Sequence, residues 1–181
     1  AFLGRISPEK GLVQAIAIAR EVGLPLKVAA RMPLDSCENA NVRADWEYYR
    51  SVVAPLFREP GVEYIGEVTD GEKAAFLGQA RALLFPIDWP EPFGLVMAEA
   101  LACGTPVVAR HRGSVPEVIR HGVTGFIGET DAELAVLCRD IDRIRRAACR
   151  AEAERRFSPQ AMADGYEAVY RRLQHTGAED S

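Results

Sequence analysis

The chain has 181 residues, of which 48% are hydrophobic and 27% charged, enough to build one well-buried domain but too few for two. The formal net charge of −4 argues against general affinity for nucleic acid. No apolar run approaches the roughly 18 residues of a membrane-spanning helix, so no such span is predicted in these residues.

Short apolar runs alternate with segments of helical periodicity along the whole sequence. Strands are predicted at residues 2–4, 26–30, 62–65, 82–85, 105–109 and 121–127. Helices are predicted at residues 12–22, 46–57, 69–79, 94–102, 115–119, 131–156 and 160–174. Strands that alternate with helices are typical of an α/β domain, so we expect one Rossmann-like parallel sheet with helices on both faces.

No metal site or disulfide framework is predicted. Residues 31–45 are polar and irregular and predict a surface loop, in which Asp35, Glu38 and Asp45 have no spacing of a standard metal site. The cysteines are scattered without metal-ligand spacing, at Cys37, Cys103, Cys138 and Cys149. We interpret them as reduced thiols of a cytoplasmic protein, since the first residues also lack the pattern of a signal peptide.

The loop after the first strand carries two cations of different geometry. Gly4 ends the strand, and Arg5 and Lys10 follow before the first helix. Doubly wound sheets bind ligands where a strand's carboxyl end meets the next helix. A guanidinium and an ammonium at that place suit a diphosphate, and the alternative is a pair of solvated charges.

Two glutamates, Glu91 and Glu99, flank the start of the helix predicted at 94–102. From residue 93 to residue 109, Glu99 is the only charged side chain. A carboxylate in so apolar a run is unfavourable to bury unless it is hydrogen bonded, which indicates a binding role. The alternative is that Glu99 occupies the one exposed face of its helix.

The start of the same helix predicts an anion site. Gly94 lets a ligand approach the main chain, and the amides of Gly94, Leu95 and Val96 point outwards with the positive end of the helix dipole behind them. Carboxylates on either side of an anion site suit neutral hydroxyls. The pattern therefore favours a sugar joined through phosphates to a ribose.

Residues 91–99 (EPFGLVMAE) and 102–107 (ACGTPV) resemble the signature of the family-4 retaining glycosyltransferases of the GT-B fold. Residues 4–11 (GRISPEKG) match the Gly-Arg-x-x-x-x-Lys-Gly loop with which that family binds a diphosphate. The resemblance covers nearly the whole chain, but only the carboxyl-terminal, donor-binding half of a GT-B enzyme. It implies that residues 1–181 form one donor-binding domain, including helices at about 131–174, and that an acceptor domain precedes them.

The resemblance also implies roles for individual residues. Glu91, Arg5 and Lys10 are the catalytic candidates, because the first glutamate of the signature contacts the donor sugar and the two cations hold the diphosphate. The implied donor-binding residues are Gly4, Ile65, Phe93, Gly94, Leu95, Val96, Glu99 and Gly113. Among these, Glu99 holds the ribose. Ile65 ends the third strand, before the loop against which the base lies, or is a core residue instead. Gly113 lies in a loop near the phosphates or sugar, where many members have a second glycine and this chain has Ser114.

The activity implied is transfer of a sugar from a nucleoside-diphosphate donor to an acceptor with retention of configuration, without a metal or other cofactor. The isolated chain is expected to bind the nucleotide but not to turn over. Two alternatives stay open. One is another GT-B enzyme, such as a nucleotide-sugar epimerase or an inverting transferase, and the other is a non-catalytic nucleotide-sugar binding module.

Two carboxyl-terminal features suggest further contacts. Residues 139–156 hold seven arginines and four acids, which predicts a solvated helix face or, as the alternative, attraction to the inner face of a membrane. The last helix carries an apolar stripe formed by Met162, Tyr166, Val169, Tyr170 and Leu173. We expect this stripe to be partly uncovered, because in the resembling family the final helix returns towards the other domain.

Overall fold

The computed structural model describes residues 1–33 and 40–176. Cys37, Asp35, Glu38 and the polar tail predicted from residue 177 lie outside the described residues. The strands are β1 (Phe2–Arg5), β2 (Leu26–Arg31), β3 (Val62–Gly66), β4 (Leu83–Phe85), β5 (Val107–Arg110) and β6 (Gly125–Gly128). The helices are α1 (Leu12–Glu21), α2 (Ala40–Tyr48), α3 (Ala54–Leu56), α4 (Asp70–Gln79), α5 (Leu95–Ala102), α6 (Val115–Val118), α7 (Asp131–Arg139), α8 (Arg146–Phe157) and α9 (Pro159–Thr176).

The strands form two parallel ladders, β1–β2–β3 and β4–β5–β6. The ladders adjoin, because the Leu84 amide of β4 donates to the Ala1 carbonyl beside β1 at 2.9 Å. The strand order is therefore β3–β2–β1–β4–β5–β6, and the direction of winding reverses between β1 and β4. In such a sheet the ligand crevice opens at the carboxyl ends of those two strands.

Helices cover both faces of the sheet. Right-handed crossovers from β1 to β2 and from β4 to β5 run in opposite directions, so α1 and α5 lie on opposite faces. Helix α7 packs beside α1, and α4 and α8 pack beside α5. The residues of β4 and β5 are buried throughout, as expected for central parallel strands. The predicted α/β class is confirmed.

Two predicted helices have different bounds in the structure. Helix α2 begins at Ala40, within the predicted loop, and continues into a π-helical turn at Tyr49–Val53. There the Ala54 amide donates to the Tyr49 carbonyl five residues earlier, so this turn of the helix is wider than an α-helical turn. The next residue is Pro55, which has no backbone N–H to donate. The helix predicted at 131–156 is two helices, separated by a 3₁₀ turn at Ile141–Arg143.

Arginines of α8 tie that helix to its neighbours. Arg146 donates to the Ala80 carbonyl at 2.8 Å, just after α4, and Arg150 donates to the Ala102 carbonyl at 2.6 Å, at the end of α5. Cations favour helix carboxyl ends, where carbonyls lack helical partners. The prediction of a solvated face is confirmed at these two exposed arginines and is wrong at Glu152, whose side chain is 6% exposed.

The apolar stripe of α9 is exposed. Met162 is 61% exposed, Tyr166 59%, Tyr170 61% and Leu173 64%. Among the described residues, no helix is both long and apolar enough to pass through a bilayer. The helix that carries this exposed stripe packs against α8.

Candidate active site

A cavity of about 580 Å³ opens at the carboxyl ends of β1 and β4. Nine of the residues singled out from the sequence line it together: Gly4, Arg5, Lys10, Glu91, Phe93, Gly94, Leu95, Val96 and Glu99. Two further cations on its wall, Arg31 and Lys73, were not predicted from the sequence. Convergent charged groups in a concave site at a topological switch point are typical of a ligand site.

Lys10 and Glu91 form an ion pair at the centre of this cavity. The Lys10 Nζ lies 2.6 Å from the Glu91 Oε2, and the two side chains are 19% and 14% exposed. The same Oε2 accepts a hydrogen bond from the Trp89 Nε1 at 2.9 Å. The ion pair joins the loop after β1 to the loop after β4, so it connects the two halves of the sheet across the crevice.

The pKa of the Glu91 carboxyl lies below its ordinary value. Burial raises this pKa, but hydrogen bonds from Lys10, from Trp89 and from the Gly94 amide, with the charge of Lys10, outweigh it. Glu91 is therefore an ionised acceptor at neutral pH. It suits a hydroxyl donor better than it suits a phosphate.

Helix α5 directs its amino end at the cavity. Gly94 precedes the helix in the left-handed conformation, with φ 72° and ψ 62°, which a residue with a side chain rarely adopts. The amides of Leu95 and Val96 lie in the first turn, where the helix offers them no carbonyl. Of the three amides predicted to bind an anion, that of Gly94 instead donates to the Glu91 carboxylate, which leaves those of Leu95 and Val96 with the helix dipole behind them.

Glu99 faces the same cavity from the second turn of α5. Its Oε1 accepts a hydrogen bond from the Lys73 Nζ at 3.0 Å, and its side chain is 37% exposed. Lys73 also contacts Asp70 at 2.9 Å, and hydrogen bonds to Asp70 and Glu99 raise the pKa of Lys73. Glu99 is thus partly exposed, as the alternative interpretation held, but its exposed face lies on the ligand cavity.

Arg5 stands at the rim rather than in the centre. Its side chain is 61% exposed, and it contacts Glu9 at 3.1 Å and Asp45 at 3.6 Å. In the ladder Arg5 is paired with Arg31 at the ends of β1 and β2. The two guanidinium groups thus add positive charge to the entrance of the cavity.

Residues 48–162 match the family model of the glycosyl transferases, group 1. The chain belongs to this family.

Proteins of known name and solved structures resemble this chain over most of its length. The chain is 34% identical over 144 residues to a phosphatidyl-myo-inositol mannosyltransferase of Mycobacterium leprae, covering 76% of this chain and 38% of that protein. It matches the structure of HepE from Anabaena in complex with UDP-glucose at 27% identity with a TM-score of 0.64, covering 92% of this chain and 48% of that one. It also matches a sucrose-phosphate synthase from Thermosynechococcus elongatus with a TM-score of 0.75 at 22% identity, covering 97% and 46%. The chain therefore spans less than half the length of these glycosyl transferase relatives.

Two of the predicted donor-binding residues, Ile65 and Gly113, do not line the cavity. Ile65 is 39% exposed and borders a different cavity of about 600 Å³, together with Phe76 and Leu84. The core alternative for Ile65 is also wrong at that exposure. Glu67 and Val68, which directly follow the third strand, do line the crevice cavity, so the end of this strand reaches it although Ile65 itself does not.

Gly113 lies against the backbone of Glu91 and does not line the cavity itself. Its φ is 51°, and a Cβ at this position would collide with the backbone of Glu91. The next residue, Ser114, donates its amide to the Glu91 carbonyl at 2.9 Å. The loop after β5 therefore positions the main chain of Glu91, which the sequence alone did not indicate.

No set of three or more metal-ligating side chains is gathered anywhere in residues 1–33 and 40–176. The described charges around the cavity are instead cations paired with carboxylates. Such groups can bind a phosphate through the cations and hydroxyls through the acids.

Proposed function

We propose that this chain is the donor-binding half of a retaining glycosyltransferase of family 4, which transfers a sugar from a nucleoside-diphosphate donor to an acceptor. One observation carries the proposal: a single cavity at the switch point gathers Lys10, Glu91, Glu99 and the free amides of α5. The group 1 family, the mannosyltransferase relative and the UDP-glucose complex of HepE support it.

The diphosphate of the donor lies against Lys10, Arg5 and the Leu95 and Val96 amides in this proposal. As the glycosidic bond breaks, the departing diphosphate gains negative charge where these donors already point. One preorganised donor of this kind lowers a barrier by about 2.7–4 kcal/mol. The cations do the work that a metal performs in other transferases, so the proposed reaction needs no metal or other cofactor.

The two carboxylates hold the hydroxyls on either side. Glu91 accepts from the donor sugar, and Glu99, which pairs with Lys73, accepts from the ribose. For the retaining course, the acceptor attacks on the face that the diphosphate leaves. A phosphate oxygen of the donor takes the acceptor's proton, so no nucleophile of the enzyme is required.

The rest of the active site comes from an acceptor domain on the amino-terminal side, which the exposed stripe of α9 contacts in the full protein. We place the enzyme in the cytoplasm. Contact with the inner face of a membrane stays a prediction, carried by the arginines of 139–156 that bond no helix carbonyl. Residues 1–181 alone then bind the nucleotide but transfer no sugar.

A calorimetric screen of residues 1–181 against UDP, GDP, ADP and their sugars tests the proposal. We expect one nucleoside diphosphate to bind clearly better than the other two. Failure of all of them to bind would contradict the proposed function. Sugar transfer by the isolated chain would contradict the assignment of the other catalytic half to an upstream domain.

A further inference from the structure

Trp89 makes two separate contacts with the central ion pair without lining the cavity. Its indole Nε1 donates to the Glu91 Oε2 at 2.9 Å. The face of its ring lies beneath the Lys10 ammonium, with the Nζ 5.4 Å from the ring centroid. Trp89 is 37% exposed, so burial in a hydrophobic core does not explain its position.

The loop that carries Trp89 is fixed at both ends. The Asp88 amide donates to the Glu9 carbonyl at 2.9 Å, which ties this loop to the one that carries Lys10. The Glu91 amide donates to the Trp89 carbonyl at 2.8 Å. The indole therefore stands at a set distance from both partners of the ion pair.

A bound diphosphate changes the hydrogen bonds within the Lys10–Glu91 ion pair. In the unliganded structure the Glu91 Oε2 accepts from both Lys10 and Trp89. A phosphate competes for the Lys10 ammonium, because the charge of a diphosphate exceeds that of one carboxylate. When Lys10 turns to the phosphate, the indole N–H is the described side-chain donor that still holds the Glu91 carboxylate in place.

We infer that Trp89 is a positioning residue that lets Lys10 change partners from Glu91 to the donor diphosphate while Glu91 keeps its orientation towards the sugar. The N–H acts on Glu91, and therefore on sugar recognition. The ring face acts on Lys10, and therefore on diphosphate recognition. This inference rests on the proposed function and adds a residue outside the cavity to it.

Two substitutions separate these contributions in the full-length protein. Trp89→Phe keeps an aromatic face and removes the N–H, whereas Trp89→Leu removes both. Binding of UDP and of UDP-glucose is measured by calorimetry, or the corresponding GDP or ADP pair if the screen above selects it. Trp46→Phe is the matched control, since Trp46 contacts the Tyr49 ring with the planes tilted by 38° and does not line the cavity.

For Trp89→Phe we expect affinity for the nucleoside diphosphate to change by less than about twofold, while affinity for the nucleotide sugar falls roughly tenfold, as for a lost hydrogen bond to a charged group. For Trp89→Leu we expect diphosphate affinity to fall as well, by roughly threefold. Equal losses for both ligands in Trp89→Phe, or no loss, would overturn the inference. A general destabilisation would lower both affinities together and is thereby distinguished.

Fluorescence gives a second readout that needs no change at Trp89. Residues 1–181 contain two tryptophans, so when this chain on its own carries Trp46→Phe, all indole emission comes from Trp89. Departure of the Lys10 ammonium from the ring should shift this emission on addition of UDP alone. An unchanged spectrum at saturating UDP would overturn the inference but leave the proposed function intact, whereas absence of nucleotide binding by the unaltered protein would overturn both.

Discussion

Two buried carboxylates of this molecule are held in nearly the same way but in different surroundings. The side chain of Glu91 is 14% exposed and that of Glu152 is 6% exposed. In both, burial raises the carboxyl pKa, and hydrogen bonds from cations bring it below the ordinary value. Glu91 is bonded by Lys10, whereas Glu152 is bonded by Arg120, Arg155 and Arg156.

The difference lies in the space beside each carboxylate. Glu91 borders a cavity of about 580 Å³ next to the amino end of α5. Glu152 lines neither of the two cavities described above, and its arginines connect α8 to the segment after α6. A lowered pKa therefore marks paired burial in both places, and only the adjoining cavity indicates a ligand.

The largest effect is expected for the Lys10–Glu91 ion pair, which borders the cavity. Lys10→Ala in the full-length enzyme should slow sugar transfer roughly 10²–10³-fold, since one preorganised donor to the leaving diphosphate is lost. The rate is measured with saturating nucleotide sugar. Lys27→Ala is the control, because Lys27 is 59% exposed and lies outside this cavity. An unchanged rate for Lys10→Ala would remove the central role of the ion pair.

Glu152, the carboxylate that lines neither of the two cavities described, should affect the stability of the fold rather than the rate of sugar transfer. Glu152→Ala should lower the free energy of unfolding by about 3 kcal/mol, the lower end for a broken buried ion pair, because its arginines are partly exposed. Urea unfolding measures this, and nucleotide affinity should stay the same. Glu154→Ala, at a 61% exposed side chain paired with Arg150, should change stability by less than about 1 kcal/mol. Equal losses in the two variants would mean that burial of Glu152 contributes nothing.

Substitution of Glu99 is expected to have an effect of intermediate size, on nucleotide affinity. Glu99→Ala should weaken nucleotide binding roughly tenfold through the loss of hydrogen bonds to the ribose. Calorimetry with the nucleoside diphosphate measures this without contributions from the sugar. Unchanged affinity would remove the proposed role of Glu99 and leave Lys73 as its structural partner.

The smallest expected effect is on how the stability of the protein depends on pH. The folded pKa of Glu152 lies below its ordinary value of 4.5, so its pairing stabilises the protein above that value and is lost as pH falls below it. Urea unfolding between pH 7 and pH 3 should show a steeper acid loss of stability in the unaltered protein than in Glu152→Gln. Parallel curves would show that this carboxyl titrates alike in the folded and unfolded chains.

The parts of the site that follow from local sequence were predicted, and the parts that depend on packing between elements were not. Glu91, Glu99 and Gly94 lie within one nine-residue string, and Lys10 lies in a loop whose place follows from the strand before it. Lys73 is an ordinary helix residue in sequence, and it gains its role because α4 packs beside α5.

The same reasoning explains the errors. Gly113 was assigned to the ligand, but its close neighbour is the main chain of Glu91, 22 positions earlier, a contact that requires the β5 loop to be placed. Glu152 was placed on a solvated helix face, but its side chain is 6% exposed, because Arg120, 32 positions earlier, packs against it. Ile65 could be placed at a strand end from sequence, but the cavity that its side chain borders depends on how the helices pack on the sheet; Glu67 and Val68, two and three residues further on, line the candidate site.

The most direct measurement is a crystal structure of the protein with UDP-glucose, or with whichever nucleotide sugar the screen selects. The account predicts that the diphosphate lies on the amides of Leu95 and Val96 within hydrogen-bond distance of Lys10, and that Glu99 bonds the ribose. A nucleotide bound away from the carboxyl ends of β1 and β4, or a Glu99 that does not contact it, would contradict the account.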